Sequence, residues 1–191
     1  MTLQELLSPE KEYLIGKKAI IFDMDGTLID SMMYWRRNAG DDISQYGSFY
    51  EYLYEKYSTV IEPKPHAVEF LKLLHDNGIK FCIASDTPRK LSEGFFKRHP
   101  YFNDLIEFYA DSDDAGAYKY HSPKIYEIAA EKLGVSKEEC LVFEDNMASA
   151  LTASNAGFDV VGVYDFENAD NEETIRNACV DYIYDMSEMM K

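Results

Sequence analysis

Two aspartates one residue apart, Asp23 and Asp25, close the apolar run Ala19–Phe22 in the segment KKAIIFDMDGTLIDS, and Gly26 and Thr27 follow at once. Residues two apart on an extended chain project to the same side, so both carboxyl groups can face one site. A carboxylate can attack phosphorus to form an aspartyl-phosphate. A second carboxyl beside it can protonate the leaving oxygen and later take a proton from water. Those roles fall to Asp23 and Asp25 respectively. Gly26 allows the tight turn and the close backbone approach that a phosphate needs.

Hydroxyl and acidic residues end other apolar runs: Ser85, Asp86 and Thr87 in FCIASDT, and Glu144 and Asp145 in LVFEDN. If those runs are neighbouring strands, three or four carboxylates meet, and such a group either takes up protons or collects a cation. Oxygen ligands without His or Cys suit Mg²⁺. Asp23, Asp25, Glu144 and Asp145 are therefore the expected metal set. A cation also supplies the positive field for a phosphate that a chain of formal net charge -16 lacks.

The elements that must position these groups follow from periodicity. Unbroken apolar runs at 19–22, 80–84, 106–110, 140–143 and 160–163 alternate with helical patterns, the mark of βαβ units and a parallel sheet covered on both faces. PHAVEFLKLLHDNG places Ala67, Phe70, Leu71 and Leu74 on one helical face and stops at Gly78. Ser122 and Pro123 open a second helix with Ile125, Ile128 and Ala129 as its buried stripe, ending at Gly134. The small residues of NMASALTASNAG suit a helix lying close on a sheet. Ligands of such sheets bind beyond the carboxyl ends of the strands, where the acidic residues cluster. The fold class is α/β, a Rossmann-like three-layer parallel sheet.

The segment 31–63 interrupts this alternation. It holds no strand-like run and is rich in aromatics: Trp35, Tyr46, Phe49, Tyr50, Tyr52, Tyr54 and Tyr57. It reads as a small helical insertion over the crevice, leaving 1–30 and 64–191 as the core domain. Either a lid or a packing arm satisfies that pattern, and the tyrosines can stack on a ligand or fill the insertion's own core. Arg36 and Arg37 can reach a remote anion of a substrate or be solvated helix charges, and Arg36 is the one counted with the candidate substrate contacts.

With the aspartates at the end of their strand, DMDGTL resembles the first motif of the haloacid dehalogenase superfamily. The resemblance covers most of the chain outside the first dozen residues and the insertion, and places it beside the β-phosphoglucomutase-like members with a shortened helical cap. It implies that Asp23 is the nucleophile and Asp25 the acid and base. It also implies that Ser85 holds the transferring phosphoryl with Gly26, Thr27 and Asp86 around it, and that Glu144 and Asp145 hold Mg²⁺. It further implies a lysine that neutralises the nucleophile. Here the chain reads AYKYHSPKIY, with Lys119 one residue off the family spacing and Lys124 as the alternative; Lys119 is favoured because Lys124 falls in the first turn of a helix.

The expected function is a Mg²⁺-dependent phosphohydrolase of a small phosphorylated metabolite. A sugar-phosphate phosphomutase of the same fold and a non-catalytic binding or regulatory module are the alternatives. Asp25 favours phosphoester chemistry, because displacing halide needs no proton donor. The acidic balance argues against a nucleic-acid surface. MTLQELLSPEKEYL lacks the order of a secretory signal and no apolar run has the length to span a bilayer, so a cytoplasmic protein away from membranes is expected. Cys82, Cys140 and Cys179 read as buried small hydrophobes, and oligomeric state is left open.

Overall fold

The computed structural model describes residues 2–191. Six parallel strands form one sheet in the order β3-β2-β1-β4-β5-β6: β1 Ala19–Phe22, β2 Lys80–Ser85, β3 Tyr109–Asp111, β4 Cys140–Glu144, β5 Asp159–Val163 and β6 Asp181–Ile183. The chain leaves β1 for β2 on one side and returns from β3 to β4 on the other, so β1 and β4 flank the point where the winding reverses. Phe22 lies level with Ile83 and Phe143, and Asp23 N–H donates to Phe143 O at 2.9 Å, extending the ladder one residue past β1.

Both faces of the sheet are buried. Ile20, Phe22, Phe81, Ile83, Leu141 and Phe143 point to one side, where Phe70, Leu71 and Leu74 of the helix Ala67–Asp76 meet them. The rings of Phe22 and Phe143 lie 4.9 Å apart at the centre of that layer. Ala19, Ile21, Cys82, Ala84, Cys140 and Val142 point to the other side, against Ile125, Tyr126 and Ala129 of the helix Lys124–Leu133. The small-residue helix Met147–Asn155 is capped by Asn146 and buries Ala150 and Ala153 in the same layer. Strand alternation puts Asp23 and Glu144 on this second face, one step beyond Ile21 and Val142.

Three sequence expectations shift. The run at 106–110 becomes a strand only from Tyr109, as β3 Tyr109–Asp111, because the short helix Tyr101–Leu105 precedes it and Ile106 caps that helix. Pro123 is the residue before the helix rather than its first, and Ile128 is half-buried. The strand β6 had no counterpart in the sequence reading. The N-terminal residues left without a role there bury Leu3, Leu7 and Leu14 completely in the first layer.

The segment after β1 folds back on itself at Gly26 and departs. Asp30 N–H donates to Glu62 O and Lys64 N–H to Leu28 O, both at 2.9 Å, so the insertion leaves and re-enters at adjacent points. Between them lie the short helix Met32–Trp35 and the helix Phe49–Thr59, whose Tyr52, Leu53 and Tyr57 are buried in continuity with the first layer. The helix Phe49–Thr59 packs on the core helix Arg89–Arg98, and Gly94 makes the closest approach: a Cβ there would lie 2.2 Å from Ser58 Oγ and 2.9 Å from Ser58 Cα. Overpacking of this kind disrupts a core by about 1–3 kcal/mol. Gly94→Val is expected to lower stability by that amount in urea denaturation, and Ser58→Gly is expected to return only part of it, because the backbone of Ser58 itself stands in the way.

Candidate active site

Parallel strands bring their carboxyl ends to one edge, and the acidic residues of β1 and β4 meet there. Asp23 and Glu144 project from adjacent strands on one face, and Asp145 starts the loop beyond β4. One carboxylate oxygen from each of the three lies within 4.8 Å of the others. All three residues are buried.

Lys119 stands in their midst. It is 3% exposed, and its Nζ donates to Asp23 Oδ1 and, at 2.9 Å, to Glu144 Oε2. Asp86 fixes the loop that carries it: Asp86 Oδ1 accepts Lys119 N–H at 2.9 Å, and Asp86 O accepts Ser112 Oγ. Lys119 is thus the lysine that the fold brings to these carboxylates, despite its shifted spacing. Lys124 is exposed on the first turn of its helix.

Burial pushes the Glu144 carboxyl up, and the charge of Asp23 adds to that, while Lys119 and Tyr126 pull against it. Tyr126 Oη donates to Glu144 Oε2 at 2.9 Å. Asp145 is raised well above the ordinary carboxylate range by burial first and then by Asp23 and Glu144. Burial opposes the Lys119 ammonium, yet Asp23 and Glu144 outweigh it and hold the group charged. Three carboxyl groups face one ammonium here, an excess of negative charge that a divalent cation offsets. Three buried all-oxygen donors within reach of one point fit a hard cation. Asp23, Glu144 and Asp145 are the residues able to hold one.

Asp25 does not join that group through its side chain, although the sequence reading counted it there. Its Oδ1 accepts from Ser31 Oγ at 2.6 Å and from the Tyr57 hydroxyl, and its Oδ2 accepts from Thr87 Oγ1 at 2.6 Å. Burial and the Asp23 charge raise its pKa, and those hydroxyls oppose the rise. Ser85 Oγ accepts Thr87 N–H at 3.0 Å and donates to Asp25 Oδ2 in a long contact of 3.5 Å.

Gly26 has φ +83°, and a Cβ on it would fall 2.3 Å from Asp145 Oδ2. Only glycine lets the loop pass so near the acidic group. Thr27 Oγ1 donates to Asp145 Oδ1 at 3.1 Å and sits 3.5 Å from Asp23 Oδ2. Arg36 lines the same cavity, and its Nη2 donates to Asn168 Oδ1 at 2.7 Å; Asn168 in turn donates to Asp145 Oδ2.

Sequence reasoning gave no site role to Tyr126, Asn168 and Lys64, and named Tyr57 only among the aromatics of the insertion and Thr87 only as the end of an apolar run. Lys64 ties the site to its surroundings by donating to Gly26 O, to Tyr164 O at 2.7 Å and to Asp165 Oδ2 at 2.9 Å. Thr87 alone carried a signal, as the third polar residue after β2. The cavity has a volume of about 620 Å³, within the range of small-molecule sites. Asp23, Asp25, Ser85, Asp86, Lys119, Glu144 and Asp145 line its floor, and Trp35, Phe49, Tyr50, Tyr118 and Tyr120 wall its mouth.

Residues 36–157, more than half the chain, match the family model described as haloacid dehalogenase-like hydrolase. The chain belongs to that family. The match begins after the DMDGTL loop, which the fold itself brings to the site. Among curated proteins it is 26% identical over 182 residues to "Putative phosphatase YhcW" of Bacillus subtilis (strain 168), covering 75% of this chain and 82% of that one. Solved structures share the fold at lower identity. One is titled "Crystal structure of putative beta-phosphoglucomutase from Thermotoga maritima", with TM-score 0.70, 22% identity, and 90% of this chain and 96% of that one covered. Another is CbbY of Rhodobacter sphaeroides in complex with xylulose-(1,5)bisphosphate, with TM-score 0.75, 19% identity and the same coverage. The HAD-like α/β fold expected from the sequence is thus found. Among the described residues no helix is long and apolar enough to cross a membrane.

Removing a buried ion's partner costs about 3–5 kcal/mol. Lys119→Met is expected to lose stability of that size near neutral pH. Because Glu144 and Asp145 take up protons readily, the loss is expected to shrink as pH falls toward about 5, where their charge disappears. Lys124→Met is expected to change nothing measurable. Urea midpoints of both variants at two pH values check this, and equal effects at the two positions would overturn the assignment.

Proposed function

We propose that the chain is a Mg²⁺-dependent phosphatase of a small phosphorylated metabolite, working through an aspartyl-phosphate on Asp23. The observation that carries this reading is the placement of Asp23 at the cavity floor, held by Lys119, with Asp25 two residues on and facing the same cavity.

In the first half-reaction a carboxylate oxygen of Asp23 bonds to phosphorus and the bond to the leaving oxygen breaks. Asp25 delivers its proton to that oxygen as the electron pair arrives. In the second, water attacks the phosphorus of the aspartyl-phosphate, Asp25 takes a proton from it, and the Asp23 carboxylate is released with inorganic phosphate. Lys119 offsets the charge of Asp23 and the phosphoryl oxygens, and Ser85 Oγ, whose contact with Asp25 is long at 3.5 Å, turns its proton to one of them. A divalent cation bound by Asp23, Glu144 and Asp145 would supply charge neutralisation for the phosphoryl group. The aromatic wall at the mouth gives apolar faces for the alcohol portion of the substrate.

The family also contains mutases. No residue of this cavity favours return of the phosphoryl to substrate over its transfer to water, so hydrolysis is the reading adopted.

Two measurements test the proposal. Turnover of an aryl phosphate is expected with Mg²⁺, lost in EDTA, and reduced to background in Asp23→Asn. Turnover indifferent to both would overturn the reading. Metal binding is also expected to depend on pH. The raised folded-state pKa values of Glu144 and Asp145 mean that the metal-free fold holds more protons than the unfolded chain. Its stability therefore falls as pH climbs from about 4 through those raised values. Mg²⁺ competes with these protons. The rise in thermal midpoint on adding Mg²⁺ is expected to be small near about pH 5 and to grow toward about pH 8; a midpoint unmoved by Mg²⁺ across that range would contradict it.

A further inference from the structure

Tyr118 and Tyr120 stand on either side of Lys119, and both line the cavity. Their loop is closed by the N–H groups of His121 and Ser122, which donate to Tyr118 O at 3.0 and 3.1 Å, and Asp86 anchors it through Lys119 N–H. The two rings are thereby tied to the same stretch of backbone that sets Lys119 on Asp23. They stack on each other with centroids 5.4 Å apart and planes 9° from parallel, and His121 packs against Tyr120 at 4.2 Å.

Packing does not account for this pair. Tyr118 is 50% exposed and Tyr120 45%, and neither belongs to either layer of the core. Trp35 and Phe49 differ, because at the same cavity they pack against the first layer. Tyr50, on the helix Phe49–Thr59, is a third ring that borders the cavity while staying exposed.

The charges around the cavity narrow what these rings can hold. Among the described residues lining it, Lys119 and Arg36 are the cations. Lys119 is engaged at the floor by Asp23 and Glu144, and Arg36 donates to Asn168. Asp113 adds an anion to the lining. A second anionic group on a substrate therefore finds little to bind it, whereas a planar ring finds an aligned aromatic pair suited to offset stacking. We propose that Tyr118, backed by Tyr120, selects the alcohol portion of the substrate, and that this portion carries a planar aromatic ring that stacks on Tyr118 while the phosphate occupies the floor. This rests on the phosphatase reading and names the substrate class within it.

The experiment uses 2-phenylethyl phosphate and 2-cyclohexylethyl phosphate. Both release a primary alcohol with its ring two carbons from the oxygen, so the step at phosphorus is the same for each. The saturated ring is the more hydrophobic, so apolar burial alone favours it, and only stacking favours the phenyl ring. The ratio of kcat/KM, phenyl over cyclohexyl, is expected to be about five- to tenfold. Tyr118→Phe keeps the aromatic face and is expected to keep the ratio. Tyr118→Leu is expected to bring it to about one or below, and Tyr120→Leu to lower it part of the way. Each ratio is taken within one variant, so damage to the fold or to the floor, which falls on both esters alike, cancels. A ratio near one in the unaltered protein, a ratio unmoved by Tyr118→Leu, or its loss in Tyr118→Phe would overturn the role of Tyr118 and leave phosphatase activity standing. Dissociation constants of the two esters on Asp23→Asn, measured by calorimetry, separate the other failure. If the unaltered protein turns over neither ester, the proposed function falls, yet tighter binding of the phenyl ester still supports the ring site; equal or absent binding would overturn it.

Discussion

Three carboxylates and one ammonium share the buried carboxyl ends of β1 and β4, and the placement of most other groups in the site follows from keeping them together. A carboxylate taken out of water without compensation either loses its charge or destabilises the fold. Lys119 compensates two of the three directly, on Asp23 and Glu144. Asp145 instead receives hydrogen bonds from Thr27 and Asn168. Each supporting residue is in turn fixed by another element: Lys119 by Asp86 at the end of β2, Asn168 by Arg36 of the insertion, and the Gly26 loop by Lys64. The remaining excess of negative charge is what makes the group suited to a divalent cation and, through it, to phosphate.

The division of labour proposed for Asp23 and Asp25 has the same origin. Both leave β1 toward one cavity, yet their surroundings differ. Asp23 meets an ammonium and two carboxylates, whereas Asp25 meets three hydroxyls, from Ser31, Tyr57 and Thr87. Two like groups in unlike environments can hold different protonation states, which is the condition for one to attack and the other to carry a proton.

Much of this was legible in the sequence, and for identifiable reasons. The strands β1, β2, β4 and β5 are buried on both faces and so appear as unbroken apolar runs, and their acidic ends mark the crevice directly. The strand β6 escaped because it is three residues long and opens on an aspartate. The residues at 106–110 looked like a strand because Ile106 is apolar, although a helix end claims it. Lys119 was identified only against a shifted spacing, since the reach of a lysine depends on a loop anchored by Asp86, a contact between residues 33 apart. Tyr57 was hidden among the aromatics of the insertion. Nothing local separates a tyrosine that fills a core from one whose hydroxyl ends on the Asp25 carboxyl, because the difference is made by the docking of its helix on Arg89–Arg98.

The central claim is that acidic groups from separate strands converge on one divalent ion. Crystals grown with Mn²⁺, whose anomalous scattering marks its position, test that claim most directly. A single peak at about 2.1–2.2 Å from carboxylate oxygens of Asp23 and Asp145, beside Glu144 and at the floor of the cavity, is the predicted result. A map with no peak there, or with the ion held elsewhere while Lys119 alone occupies the carboxylates, would contradict it.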